Sequence, residues 1–600
     1  MKKTSLVVLV ALTVVLNGLF GWVNNRPVDV GPDVPDGKLT SLSFAPFRDG
    51  QSPIEKILPT PGQIEEDISL LADKTHSIRT YTSLEGFEIV PDLARKYGLT
   101  MIQGAWLTYE LPFDPAQFSP EKVQELNEAK ELNHKEIKEL IRSANANPDV
   151  VKRVMVGNEV LLRGEMKPEQ LIQYIREVKK AVKQPVSYAD VWSFYMKYPE
   201  IGKEVDFITI HILPYWEDEP LEVNDAVAHI EKTYQQVYER VQALYPGKPI
   251  LIGESGWPSN GRQRGWAVPS VANEAKFIRS LIQVSKKNGF DLNIVEAFNQ
   301  PWKSALEGVV GANWGLLSAD RKPVFPLTGK VVENPDWTSR LLVSTLILLL
   351  AVACYFKPLS QLPLPRMALF LAFAQLLASL LVTQADELWA TSFNLLQSAG
   401  TAAIVAINAL LAVCLTRRAM AVLNREPANE KLGAWLQAIY LALIALAVYK
   451  TYMLALDGRY ISFPYEMTYI AVAGALGLIA MRYLDERNWS VKLLDFDGLI
   501  GYSQASPKRN RIIAWVLVLM ALALIAGETR AFLISRDFVE AHPDMAERFR
   551  LAFIYTITNS QLLVWLASLG VLALPLWAGG YESSEKVLLT PQPVEVTEQE

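Results

Sequence analysis

The chain has 600 residues, a net charge of -6, a 50% share of hydrophobic residues, two cysteines and five histidines. This length predicts more than one domain, and a small negative charge spread along the chain excludes the basic footprint of a nucleic-acid binder. Cys354 and Cys414 both lie in apolar runs and the histidines lack ligand spacing, so no disulfide or metal framework, and no cofactor, is implied.

Met1-Lys2-Lys3 followed by an apolar run over 6–22 has the form of a signal sequence. It ends without a small-x-small cleavage site, which favours an uncleaved signal anchor over 1–24. A cleaved peptide is the other reading, and either one exports the segment after it. Residues 25–39 are rich in Pro, Gly and Asp and read as a linker. From 40 to 332, eight strand-like runs alternate with helical stretches, at 39–46, 77–82, 99–106, 153–159, 186–192, 207–213, 249–254 and 293–298. That alternation predicts an α/β fold, a (β/α)8 TIM barrel. Between the third and fourth runs, 121–146 carries Glu, Lys and Leu at helical spacing. Ser119 is placed to cap it and Pro120 to open it. Its expected role is to cover the barrel with a solvated face.

Beyond Arg340 the chain becomes a series of apolar runs, most near the ~20 residues needed to span a bilayer. They lie at 341–356, 367–382, 388–415, 433–456, 465–483, 512–534 and 551–577. With the N-terminal run they make eight, and 340–579 reads as an all-α multi-spanning transmembrane domain. The positive-inside rule places Lys2, Lys3, Lys357, Arg366, Arg417, Arg418, Arg425, Lys431, Lys508, Arg509 and Arg511 in the cytoplasm. Both termini are then inside and the barrel outside. The loops at 384–387 and 457–464 fall outside and carry almost no basic residues. The loop before the last span is the exception, with Arg536, Arg548 and Arg550 offset by Asp537, Glu540, Asp544 and Glu547. Asn394, Gln397, Asn408, Lys450, Glu528, Asn559 and Gln561 within or beside the spans would line a pathway, bridge helices or snorkel. The acidic stretch 580–600 reads as a disordered tail.

Two apolar runs end in a carboxylate. One is Val154-Met155-Val156-Gly157-Asn158-Glu159-Val160. The other is Ile250-Leu251-Ile252-Gly253-Glu254-Ser255-Gly256-Trp257-Pro258-Ser259. Barrel enzymes build their sites at the C-terminal ends of strands. Glu159 and Glu254 lie 95 residues apart, about three βα units of ~30 residues each, which puts them on the fourth and seventh strands. A lone strand-end Glu is more often a structural ion-pair partner.

The two motifs together resemble the active-site signature of glycoside hydrolase family 17, the β-1,3-glucanases, over residues 40–330. The resemblance implies a retaining glycosidase acting on β-1,3-glucan, with Glu159 on the Asn-Glu pair as acid/base and Glu254 as nucleophile. A pair that retains configuration sits ~5–5.5 Å apart. Asn158 would donate to the sugar 2-hydroxyl; a turn-forming Asn is the bland alternative. Tyr81 and Tyr215 are each placed to hydrogen-bond Glu254, with nothing to choose between them. Trp106, Trp192, Tyr215, Trp216, Trp257, Phe298 and Trp302 recur at strand ends. Each alone is more often core, but the recurrence favours a sugar-binding cleft. Glu296, Trp302 and Lys303 lie in Glu-Ala-Phe-Asn-Gln-Pro-Trp-Lys after the eighth strand. The family commonly has acidic residues followed by Trp-Lys here; Asn299 and Gln300 depart from that pattern. His211 reads as a satisfied structural histidine rather than a catalyst.

Water resolving a covalent glucosyl intermediate gives hydrolysis, and a sugar hydroxyl gives transglycosylation, with the same carboxylates. Fusion to a polytopic segment resembles bacterial membrane proteins of the NdvC type, which take part in making branched β-(1,3),(1,6)-glucans. That resemblance implies glucan remodelling or branching at the outer face of the bacterial inner membrane, beside a separate glucan synthase. Plain endo-hydrolysis is the alternative among enzymes, and a glucan-binding exporter component the alternative from another class. A processive sugar-nucleotide synthase would need a cytoplasmic domain, yet the longest interior loop runs only from 484 to 511. Asp495 and Asp497 there have no domain around them.

Overall fold

The computed structural model describes residues 2–486, 490–503 and 506–578, so the acidic tail at 580–600 lies outside the described residues. The chain divides into two compact units, Pro27–Glu333 and Met1–Arg26 with Asn334–Glu600.

In the Pro27–Glu333 unit eight parallel strands close into a barrel in chain order. They are β1 (Leu42–Ser43), β2 (Ser77–Arg79), β3 (Thr100–Ala105), β4 (Val151–Asn158), β5 (Val186–Val191), β6 (Ile208–His211), β7 (Ile250–Ser255) and β8 (Asp291–Ile294). The expected barrel is therefore present; most strands are shorter than their apolar runs, while β4 starts two residues earlier than its run and β7 is shifted by one. Trp192 opens the helix Trp192–Lys197 instead of ending β5. Strands covered on both faces are near-continuously apolar, and β7 is buried at every position. Alternation sorts the side chains. Val154 and Val156 pack outward among helix residues such as Ile175 and Val178. Met155 joins Ile102, Ala189, Phe207 and Leu251 in a separate cluster inside the barrel.

Two expectations need correction here. The segment read as a linker is part of the barrel unit. Val28 pairs antiparallel with Val331, Val34 N–H donates to Leu327 O at 3.1 Å, and Val30 and Val34 are buried in the main core. Valines between the Pro and Gly turns let the chain pack where composition alone reads as loop. The helix Pro120–Ala146 starts as expected, with Ser119 Oγ accepting from Lys122 N–H at 3.3 Å. Its inner face, however, carries buried Asn133 and Glu136. Asn133 brackets the Thr108 peptide after β3, accepting from its N–H at 2.8 Å and donating to its carbonyl at 3.1 Å. Glu136 accepts from the Thr82 hydroxyl and from Ser83 N–H at 3.0 Å after β2.

Among the described residues of the other unit, eight helices are long and apolar enough to cross a membrane. They are Thr4–Asn24, Trp337–Cys354, Leu364–Ala390, Leu395–Asn424, Glu430–Asp457, Tyr465–Leu484, Pro507–Leu533 and Ser560–Ala578. Two expected spans are cut differently. The run 388–415 breaks before Leu395, where Asn394 Oδ1 accepts from Gln397 N–H at 2.9 Å. The run 551–577 breaks into Met545–Ile557 and Ser560–Ala578, with Asn559 Oδ1 accepting from Leu562 N–H at 3.1 Å. In both places an Asn that hydropathy absorbs into an apolar run acts as a helix cap. The N-terminal helix packs into this unit: Leu6 is buried in its core, and Ser379 Oγ donates to Asn17 Oδ1 at 3.4 Å.

Candidate active site

The barrel brings the two carboxylates together. β4 ends at Asn158, and Glu159 follows it with a φ of 52°. This left-handed backbone costs an ordinary residue roughly 1–2 kcal/mol. The exit of β4 is braced by Arg163, which donates to the Asn158 carbonyl, to Leu107 O at 2.9 Å and to Glu165 Oε2 at 2.8 Å. Glu254 lies on β7, and one donor atom each of Glu159, His211 and Glu254 fall within 4.8 Å of one another. By distance the three would also suit a divalent cation, but the Arg79 guanidinium beside Glu254 already supplies positive charge there.

Arg79 is the hub of the site. Its Nη1 donates to Gly253 O at 2.7 Å and to Glu254 Oε1 at 3.2 Å, while Nη2 donates to Asn158 Oδ1 at 2.6 Å. The planar guanidinium thus fixes β7 and β4 from β2 at once. It also orients the Asn158 amide so that Nδ2 is left to donate to a ligand. His211, ending β6, bridges the pair: Nδ1 lies 2.7 Å from Glu159 Oε1 and Nε2 lies 3.7 Å from Glu254 Oε1. The histidine expected as structural therefore faces both carboxylates. Burial by itself raises the Glu159 carboxyl. The hydrogen bond and charge of His211, then Arg163 and Arg79, outweigh burial and hold it below its usual value.

A second layer of acids surrounds this centre. Asp190, buried on β5, accepts from the Tyr188 hydroxyl and from Val191 N–H at 2.8 Å. Burial pushes its carboxyl up to about 7, although the Tyr188 bond opposes this, and the nearby Glu159 charge adds to it. Glu296, after β8, pairs with Lys303 Nζ at 2.8 Å. Burial drives it up to about 7 against the Lys303 charge, with Glu254 and Glu307 adding to the rise.

The remaining expected residues divide into three groups. Tyr81 borders the centre, and its phenol is raised well above its usual value by burial and by Glu254. Its hydroxyl donates to Ser43 Oγ at 3.0 Å, and that of Tyr215 donates to Arg262 O at 2.6 Å. Neither tyrosine donates to Glu254; Arg79 occupies that role. Trp106 is exposed at the end of β3 with the Arg163 guanidinium 4.5 Å from its ring centre. Trp302 is half-buried, its Nε1 donating to Gln300 Oε1 at 2.8 Å, and Trp192 is half-buried against the core. Tyr215, Trp257 and Phe298 are sealed in the core, and Trp257 Nε1 is taken by Val268 O at 3.1 Å. A sugar cannot stack on them, because packing between strand and helix claims their faces. Gln300, where an acid was expected, anchors backbone by donating to Ala45 O at 2.6 Å.

Arg79, Asp190 and Glu136 are absent from the residues expected for the site. A signal existed for the first: a charged residue inside a short strand otherwise destined for burial needs a partner or a task.

Residues 41–315 match the family described as the BtgE/BtgC glycoside hydrolase domain. A glucan 1,3-beta-glucosidase of Arthroderma benhamiae is 25% identical over 289 residues, 45% of this chain and 86% of its own length. Its counterpart in Schizosaccharomyces pombe is 27% identical over 263 residues, 41% of this chain and 75% of its own. A solved glycoside hydrolase family 17 beta-1,3-glucanosyltransferase from Rhizomucor miehei is 28% identical and covers 48% of this chain and 95% of its own, with a TM-score of 0.38. The enzyme class expected from the sequence is borne out by this similarity: residues 41–315 match a glycoside hydrolase domain, and these curated relatives are glucan 1,3-beta-glucosidases by name.

Proposed function

We propose that the protein is a membrane-anchored, retaining β-1,3-glucan-active enzyme that cleaves its substrate and transfers the glucosyl portion to a second sugar. The observation that carries the mechanism is the approach of Glu159 and Glu254 oxygens to within 4.8 Å. That approach is nearer the ~5–5.5 Å separation of retaining pairs than the ~6.5–9.5 Å of inverting ones, which supports a retaining enzyme. Glu254, positioned by Arg79, attacks the anomeric carbon as Glu159 protonates the departing glycosidic oxygen. A covalent glucosyl ester forms and the glycosidic bond breaks. Glu159, now a carboxylate, takes the proton of the incoming hydroxyl as that oxygen displaces Glu254. Asn158 Nδ2 donates to the sugar 2-hydroxyl during both steps. The curated relatives act on 1,3-β-glucan by name, which supports that substrate here.

The eight apolar helices support a multi-pass membrane protein, and the packing of Leu6 and Asn17 supports an N-terminal helix retained as an anchor. In this reading the termini and the basic loops lie in the cytoplasm of a bacterium. The barrel works on glucan at the outer face of the inner membrane, beside a separate synthase.

The test is incubation of the full chain in detergent with a short β-1,3-glucan oligosaccharide, sizing the products, with Glu254→Ala beside it. Products longer than the substrate, absent from the variant, are expected, and their linkage separates elongation from branching. Only shorter products would reduce the enzyme to a hydrolase. Silence from the unaltered chain would remove β-1,3-glucan as substrate and turn attention to glucan export.

A further inference from the structure

The Leu395–Asn424 and Glu430–Asp457 helices, joined by a short loop, line an open groove of about 390 Å³. Its wall is largely apolar, from Leu410, Val413, Leu432 and Trp435, and two cations, Arg417 and Lys431, stand in it. Val413, Arg417, Lys431 and Trp435 are all exposed. Neither cation meets a carboxylate among the described residues, although basic side chains elsewhere in the chain do: Arg340 pairs with Asp386 at 2.8 Å.

Position defines what the groove meets. Arg417 lies seven residues before the end of its helix, about 10 Å along the axis. Lys431 lies in the first turn of the next helix. Both charges therefore fall at the end of two candidate spans, at headgroup depth, with exposed Trp435 where interfacial aromatic rings collect. At that depth a guanidinium beside an apolar wall meets anionic headgroups as well as water. A phosphate offers it two parallel hydrogen bonds, and an ammonium adds a point charge. The apolar wall suits an acyl chain, and the volume is within the roughly 300–1,000 Å³ range of small-molecule sites.

From this juxtaposition we propose that the groove holds the phosphate of an anionic membrane phospholipid between Arg417 and Lys431, with its acyl chain along Val413 and Trp435. The proposal rests on the reading of these helices as membrane spans. Basic pockets between spans on the cytoplasmic side are where anionic headgroups bind.

The experiment titrates the full chain in neutral detergent with short-chain phosphatidylglycerol, counting bound lipid by native mass spectrometry. Phosphatidylcholine and inorganic phosphate are run beside it. Phosphatidylglycerol is expected to bind more tightly than phosphatidylcholine. The R417Q/K431Q double variant should bind it about 30-fold less tightly, the factor for two cations near an anionic surface, with an unchanged melting temperature. If that variant does not assemble, Lys431→Glu, altered at an exposed position, should still weaken binding about tenfold or more by losing one cation and adding a repelling charge. Equal affinity in wild type and variant, or no preference for the anionic lipid, overturns the proposal. Displacement of the lipid by millimolar inorganic phosphate assigns the groove to free phosphate and overturns the lipid source. The membrane reading fails separately, if alkaline carbonate extracts the full chain from the membrane pellet.

Discussion

At the residue scale, the proposed chemistry turns on how one cation and one imidazole divide two carboxylates between two tasks. Arg79 fastens Glu254 and Asn158 through fixed donors, so a lysine, with one point charge and no fork, cannot replace it. Arg79→Lys is expected to lower kcat about 10²-fold, the cost of a reacting group misplaced by about 1 Å, with a much smaller change in KM; steady-state kinetics on an oligosaccharide check this. His211 holds Glu159 below its usual carboxyl range, yet the first step of the proposed mechanism needs Glu159 protonated. His211→Ala removes the hydrogen bond and the charge and leaves burial to raise the acid. The alkaline limb of kcat/KM against pH, which follows loss of the Glu159 proton, is then expected to move to higher pH. A limb that stays in place would separate His211 from the acid/base group.

At the scale of elements, barrel strands deliver side chains, and the segments outside them decide how firmly. Glu136 reaches from the long helix to the loop after β2, and Asn133 pins the loop after β3. A helix that reads as cover thereby holds two rim loops. The segment 27–34 closes onto 327–331 and buries two valines. Val34→Ala in the full chain is expected to cost the barrel roughly 1–3 kcal/mol, the scale for removing buried methyl groups, seen as a lower melting temperature. A linker would tolerate the change without effect.

At the scale of the whole barrel, burial has collected acids that are reluctant to ionise. Glu136, Asp190 and Glu296 are each pushed up to about 7, in each case first by burial. Unfolded, they would release their protons near 4. Between these limits the folded state holds more protons than the unfolded one, so stability falls as pH rises. Glu159, held low, acts in the opposite sense at more acid pH and is outnumbered. The melting temperature of the barrel is expected to fall from pH 5 to pH 8, measured by tryptophan fluorescence. Glu136→Gln should flatten part of that slope, whereas a rise in melting temperature over the range would contradict the assignment.

The strand count, the barrel and the pair Glu159 and Glu254 were legible in the residues themselves. Strand alternation is local, and a carboxylate ending an apolar strand is placed by the strand alone. The eight apolar runs were legible for the same reason, since each carries its own hydropathy. What closed only in three dimensions is whatever depends on partners distant in sequence. Arg79 meets Glu254 from 175 residues away and His211 meets Glu159 from 52, so neither role is written in its neighbours. Trp257 and Tyr215 carry the same aromatic signal as Trp106. Only the packing of helix against strand decides that the first two are core while Trp106 is exposed. Hydropathy places a span but not its ends, because a single Asn cap outweighs the apolar residues around it. Local sequence thus determined which carboxylates end the barrel strands, and tertiary structure decided which charges hold them and which aromatic surfaces remain open.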